Sequence, residues 1–132
     1  MCSRLIMPLL VLTLSGTAHA QSTPPAASAP QFIDIDDNAL LISRLIGLGV
    51  QNAKGEDLGK IEDVALEGGR IVGVVLSVGA ILGDSQRYVA VDPSSISINY
   101  TEGDNKWKAT LNAQIEQLKA ASEFRYEGKW KR

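Results

Sequence analysis

The sequence predicts a mainly β domain: a small antiparallel six-stranded barrel followed by one short C-terminal helix. Short runs in which apolar and polar residues alternate fill residues 45–111, and this alternation is typical of half-buried strands. Glycine-rich turns separate the runs, and a series of short strands joined by turns favours a curled sheet or barrel. Beyond residue 111 the apolar residues recur at helical spacing, which predicts a helix that closes one end.

The first four strands are expected at residues 45–50, 58–67, 70–79 and 87–91, and the last two at residues 95–100 and 106–111. Gly68-Gly69 predicts a two-residue hairpin between the second and third strands. The helix is expected to follow Asn112 as its cap. Ile81 and Leu82 lie in an expected loop, and we expect their side chains to tuck under the barrel.

The second strand contains an irregularity that the sequence itself indicates. Its apolar parity changes between Ile61 and Val64, with Glu62 and Asp63 between them. A single pleat cannot place Ile61 and Val64 on one face, so we expect a β-bulge near Glu62 and Asp63.

Residues 1–20 have the layout of a secretory signal peptide. Arg4 precedes an apolar run, and Ala18-His19-Ala20 supplies small residues for cleavage. The run is shorter than the roughly 20 apolar residues that span a bilayer. We therefore expect a periplasmic or secreted protein with no transmembrane helix after cleavage. Residues 21–42, rich in proline and small residues, are expected to form a flexible linker with a short helical turn.

Cleavage after Ala20 would remove Cys2 and His19, the single cysteine and the single histidine of the sequence. The mature chain would then lack thiolate and imidazole metal ligands, a serine–histidine triad and a cysteine nucleophile. We expect no enzyme activity, no catalytic residue, no metal and no cofactor. The 13 basic residues against 15 acidic ones provide no positive field for nucleic acid.

Four segments carry a resemblance to a known family: LIGLGVQNAKGEDLGKIEDVAL, GGRIVGVVLSVGAILG, RYVAVDPSSI and IEQLKAASEFRY. In this order they resemble the PRC-barrel family over residues 43–126. The resemblance implies a six-stranded PRC-type β-barrel that serves as an assembly or interaction module without a common catalytic centre. Members often carry Pro where Ser122 stands here. The predicted export also separates this chain from the photosynthetic and ribosomal members, so their roles do not transfer.

Partner-binding residues are predicted in two places. Ile81 and Leu82 lie in the expected loop, while Tyr126 and Trp130 lie near the C-terminus, where residues 127–132 form a basic and aromatic tail. An exposed strand edge is a further route to binding, since it offers backbone hydrogen bonds. The expected partner is an unknown periplasmic protein or a second copy. Weak contact of the tail with an envelope surface is an alternative.

Two other functions stay open at this point. One is binding of a small ligand in the barrel mouth, although six short strands leave little lumen. The other is a carboxylate-based hydrolase that uses Glu62, Asp84 and Asp92, which would need two carboxyl groups about 5–9.5 Å apart.

Charged residues elsewhere are interpreted as structural. Glu62 and Asp63 are adjacent in a strand and are expected to point to opposite faces, where Arg70 or Arg87 would pair with them. The acidic residues near position 36 lack the glycine and closing glutamate of a calcium loop, so we interpret them as capping and solubilising residues.

Overall fold

The computed structural model describes residue 16, residues 28–83 and residues 86–132. The predicted signal peptide, apart from residue 16, and the first part of the predicted linker lie outside the described residues, as does Asp84. Residues Ile35–Arg132 form one compact unit, and the elements below belong to it.

The described residues form six strands, three short α-helices and two 3-10 helices. The strands are β1 (Gly49–Gln51), β2 (Asp57–Glu67), β3 (Arg70–Ser77), β4 (Tyr88–Val91), β5 (Ile96–Thr101) and β6 (Lys106–Leu111). The helices are α1 (Ile42–Leu45), α2 (Gly79–Leu82) and α3 (Ile115–Ala120), and the 3-10 helices are Pro93–Ser95 and Gly128–Trp130. The prediction of a mainly β fold with six strands and a short C-terminal helix is confirmed.

The six strands form one mixed sheet in the order β4-β3-β2-β1-β6-β5. Every neighbouring pair is antiparallel except β1 and β6, which run parallel, with Val50 opposite Ala109. No pairing joins β4 to β5 among the residues that the structure describes. The predictions of a closed barrel and of a fully antiparallel sheet are therefore wrong.

The geometry of β4 gives a physical reason for the open sheet. This strand has only four residues, and the carbonyl oxygen of Tyr88 accepts a hydrogen bond of 2.8 Å from the backbone N–H of Phe124. The end of the chain therefore occupies part of the edge to which β5 would have to pair. A parallel pair such as β1–β6 needs a long crossover between its strands, and here β2 to β5 lie in that connection.

The register of β2 confirms the predicted bulge and contains a second one. Ile61 pairs with Leu76 and Asp63 with Val75, so Glu62 is the inserted residue. Leu58 is inserted in the same way against β1. Because each bulge shifts the pleat, Leu58 and Ile61 are both fully buried.

Glycines make the bulge at Leu58 and the turn between β2 and β3 possible. Gly59 has φ of +131°, and a Cβ atom there would lie 2.2 Å from the carbonyl oxygen of Ser77. Gly68 and Gly69 both have positive φ, at 57° and 77°, as a type I′ hairpin requires. The predicted Gly68-Gly69 hairpin is therefore confirmed.

Three local expectations differ from the structure. Residues 42–45 are helical, and β1 begins only at Gly49, because Leu45 reaches the core from a helical turn. The expected loop at residues 80–86 contains helix α2. Gln114, together with Gln117, forms the capping box of α3 in place of Asn112.

One face of the sheet carries the hydrophobic core, into which α1 and α3 each insert a leucine. Its buried members are Leu45, Val50, Leu58, Ile61, Val74, Leu76, Val78, Val89, Ile96, Ala109, Leu111 and Leu118. Burial of a Leu, Ile or Val side chain contributes about 1.5–3 kcal/mol, so this cluster is the main source of stability.

Candidate interaction groove at the C-terminal segment

The last eleven residues, called the C-terminal segment here (residues 122–132), pack on the side of the sheet opposite the core. Val75 on β3 is only 2% exposed, yet it does not belong to the core cluster. It lies opposite Asp63 in the register and lines a groove together with Phe124 and Tyr126. The C-terminal segment therefore covers this second face of β2 and β3.

Aromatic contacts hold the segment in place. The Tyr126 ring is perpendicular to the rings of Tyr88 and Phe124, with centroids 5.3 and 5.1 Å away. The Phe124 ring also lies 5.9 Å from that of Trp130. The first two pairs are edge-to-face, whereas the Phe124 and Trp130 rings are tilted by 34°. An aromatic pair in a favourable geometry contributes about 0.5–1.5 kcal/mol, so these contacts help to hold a short segment that has little regular structure.

The bulge in β2 supplies an electrostatic anchor for the end of the chain. Arg132 donates a 2.7 Å hydrogen bond from Nη1 to Glu62 Oε1, and its Nη2 lies 3.7 Å from Asp63 Oδ2. The same guanidinium group stands 4.0 Å from the centroid of the Tyr126 ring, within the range of a cation–π contact.

This arrangement corrects two predictions. Glu62 and Asp63 do not act on opposite faces, because the inserted residue of a bulge breaks the alternation of side chains and both carboxylates reach one guanidinium group. Their partner is neither Arg70 nor Arg87. Arg87 instead donates two 2.9 Å hydrogen bonds from Nη2 to backbone carbonyls at the end of α3.

The environment of Tyr126 shifts its ionisation. Burial is the main cause that raises the pKa of the Tyr126 phenol to about 12. The positive charge of Arg132 lowers this pKa, whereas the negative charges of Asp63 and Glu62 raise it further. The phenol O–H lies 3.4 Å from Asp63 Oδ2, to which it donates a long hydrogen bond. The hydrogen bond to Glu62 likewise raises the pKa of Arg132. At neutral pH the cluster therefore holds a neutral phenol and a charged guanidinium group.

An open groove of about 760 Å³ separates the C-terminal segment from the hairpin formed by β2 and β3. Its lining combines aromatic and aliphatic side chains with a few charges. The lining residues are Asp63, Val64, Ala65, Leu66, Glu67, Val72, Val75, Phe124, Tyr126, Lys129, Trp130 and Arg132. Leu66 is 58% exposed, Val72 49% and Trp130 57%, so both sides of the groove present apolar surface to solvent.

The structure separates the four predicted partner-binding residues into two places. Tyr126 and Trp130 both line the groove. Ile81 and Leu82 lie in α2 and are half-buried, and Leu82 packs against the core. Sequence reasoning missed Leu66 and Val72 on the opposite wall. The signal that could have revealed this wall is the apolar character of β3 on both faces, which means that something must cover the second face.

The carboxylates named for a hydrolase have structural roles where they are described. Glu62 pairs with Arg132, as above. Asp92 caps the Pro93–Ser95 helix by accepting a 2.8 Å hydrogen bond from the backbone N–H of Ser94, and the hydrogen bonds from Ser94 lower the pKa of Asp92.

The described residues contain neither a metal-binding cluster nor a membrane-spanning helix. In residues 28–83 and 86–132, no group of three or more His, Cys, Asp or Glu side chains could hold a metal ion. Within the same ranges, each helix is too short or too polar to cross a membrane.

Comparison with protein families identifies a known domain in this chain. The family model of the PRC-barrel domain matches residues 37–105, a range that contains α1, both strands of the groove's hairpin wall and β5. The C-terminal segment, which forms the other wall, lies outside the matched range. No curated protein matches the chain significantly.

Proposed function

The chain belongs to the PRC-barrel domain family, and on this premise we propose that it is an exported, non-catalytic module that binds a protein partner in the groove. The predicted signal peptide supports a periplasmic or secreted location. The observation that carries the proposal is the exposed apolar surface on both walls of the groove.

The composition of the groove suits a protein partner. Tryptophan is enriched among the residues that dominate binding energy at interfaces, and Trp130 is more than half exposed at the rim. Leu66 faces the same groove from β2 and is equally exposed. Single exposed apolar residues are common on protein surfaces, but here exposed apolar side chains stand on both walls of one groove, an arrangement that favours an interaction site.

The lack of catalysis is supported by the roles of the charged groups. Glu62 and Asp63 are neutralised in part by Arg132, and Asp92 is committed to a helix cap. Cleavage after Ala20 would also remove the thiol and the imidazole of the sequence. These observations favour binding over hydrolysis as the function of the domain.

A matched pair of leucine substitutions tests the groove. Leu66 lines it and is 58% exposed, while Leu41 does not line it and is 52% exposed. The tagged chain, with Leu66→Ser, Leu41→Ser or Trp130→Ala, would be purified from the envelope fraction of its native cells. We expect a specific partner to be retained by the original chain and by Leu41→Ser.

The groove variants should lose that partner. Loss of a tryptophan that dominates binding costs about 2 kcal/mol or more, which is roughly a 30-fold increase in Kd. Equal recovery of the partner by all three variants would contradict the proposal.

A further inference from the structure

A short segment near the start of the described chain has the chemistry that complements the groove. Residues 32–37, called the acidic segment here, read FIDIDD. Phe32 is 95% exposed, Ile33 79% and Ile35 66%. Exposed apolar side chains that alternate with carboxylates are typical of a strand or extended segment that binds along a surface.

Two lysines beside Trp130 supply the matching charges. Lys129 lines the groove, and Lys131 follows Trp130 just outside the lining. Neither lysine has an ion-pair partner in the part of the chain that the structure describes. Arg132, in contrast, is already paired with the carboxylates of the bulge. Lys129 and Lys131 are therefore the cations that remain to meet an anionic partner.

We propose that the acidic segment of one copy occupies the groove of a second copy, an inference that rests on the groove being the interaction site. In an extended conformation Ile33 and Ile35 point to the same side and would lie against Leu66 and Trp130. The six residues of the segment span about 20 Å. Asp37 lies on the side of the two isoleucines and Asp34 on the opposite side, so the two carboxylates would meet the lysines on the two sides of Trp130.

The proposed binding is reciprocal. Each copy carries one groove and one acidic segment, so in a dimer with two-fold symmetry each groove holds the segment of the other copy. Such an isologous contact forms a closed dimer, because no unoccupied segment or groove remains to bind a third copy and extend the assembly into a fibre.

Charge reversal tests this arrangement through sedimentation velocity at low ionic strength. The Asp34→Lys/Asp37→Lys chain has a basic segment and a basic groove, and the Lys129→Glu/Lys131→Glu chain has an acidic segment and an acidic groove. Each should dimerise at least about tenfold more weakly than the original chain, because like charges meet at both contacts. An equal mixture of the two should recover dimers, since both contacts become complementary again.

A matched control keeps the change in net charge but leaves the groove intact. Lys54→Glu/Lys60→Glu changes two exposed lysines that do not line it, and this chain should dimerise like the original. A monomeric original chain, or a mixture of the two reversed chains that stays monomeric, would overturn the inference.

Carbodiimide coupling decides which copy supplies the segment. In an equal mixture of unlabelled and isotope-labelled chains, coupling of Asp34 in one chain to Lys131 in another gives some crosslinked peptide pairs with one labelled and one unlabelled member. If both members of every crosslinked pair came from the same kind of chain, the segment would dock within its own chain, and the inference that a second copy supplies it would be overturned.

The two proposals fail in different ways. If the chains do not dimerise but Leu66→Ser still abolishes capture of another protein, the proposed self-association is wrong, while the groove remains the proposed interaction site. If Leu66→Ser changes neither capture nor dimerisation, the groove is not the interaction site.

Discussion

Glu62 shows how one inserted residue changes the chemistry available to its neighbours. The parity of apolar residues predicted the bulge, because Ile61 and Val64 had to share a face. It could not predict that Glu62 and Asp63 would both reach Arg132, which lies 70 positions from Glu62 along the chain. Apolar patterning reports which residues are buried, whereas the partner of a surface charge depends on the tertiary path of a distant segment.

Tyr126 gives a prediction about alkaline pH. Its pKa of about 12 in the folded chain lies above the value of 10.0 for a free tyrosine. The neutral phenol is thus favoured by folding, and its contribution to stability is complete below pH 10 and is lost as the pH rises through 12. We expect the C-terminal segment to detach over this interval.

The measurement is the tyrosinate absorbance near 295 nm, compared between the original chain and Tyr126→Phe. The difference between the two titrations should show one phenol that ionises near pH 12. A difference that reports ionisation near pH 10 would show that the phenol is not buried against β2 and β3.

Gly59 is a second residue whose identity is fixed by geometry. Gly59→Ala places a Cβ atom against the Ser77 carbonyl oxygen at a backbone φ that alanine rarely adopts. We expect the free energy of unfolding to fall by about 3 kcal/mol, measured by urea denaturation.

Gly49→Ala is the matched control, because nothing lies within 4 Å of a Cβ atom at Gly49 and its φ is not positive. It should leave stability unchanged or raise it by up to about 1 kcal/mol. Equal effects of the two alanines would mean that the Leu58 bulge is absent in solution.

At the scale of elements, local patterns predicted well and distant pairings did not. The β2–β3 hairpin was predictable because Gly68-Gly69 determines the turn and the pairing beside it, Glu67 with Arg70. The parallel pairing of β1 with β6 was not, since β1 has only three residues and alternation says nothing about strand direction. The open edge at β4 was also hidden, because it depends on where Phe124 arrives.

The same distinction applies to the groove. Tyr126 and Trp130 could be named from the aromatic and basic composition of the chain end. Leu66 and Val72 become a wall only once the C-terminal segment packs across the sheet. The apolar character of β3 on both faces indicates that its second face is covered, but it does not indicate which segment covers it.

The connection between β4 and α3 gives a prediction at this scale. Arg87 donates two hydrogen bonds to the carbonyls of Lys119 and Ala121, and thus fixes the end of α3 beside the start of β4. Arg87→Met should lower the free energy of unfolding by about 1–2 kcal/mol.

Arg70→Met provides the comparison, since Arg70 is exposed at the start of β3 and should change stability by less than about 0.5 kcal/mol. Thermal denaturation of both variants followed by circular dichroism measures the difference. If Arg70→Met lost as much stability as Arg87→Met, the two hydrogen bonds of Arg87 to the end of α3 would not be a specific source of stability.

For the whole molecule, export is the prediction on which the chemical argument depends. The layout of residues 1–20 predicts a signal peptide that is cleaved after Ala20, so the purified protein should begin at Gln21 and contain neither cysteine nor histidine. N-terminal sequencing of the protein from its native cells measures this. A chain that retains Cys2 and His19 would contradict the export and would return a thiol and an imidazole to the chemistry of the molecule.

Binding of a partner in the groove beside the C-terminal segment, and not at α2, can be measured by photo-crosslinking in the native cells. One chain would carry a photoreactive residue at position 130 and another at position 81. We expect a discrete crosslinked product from position 130 and none from position 81. A product from position 81 alone would contradict this expectation and would place the partner at α2.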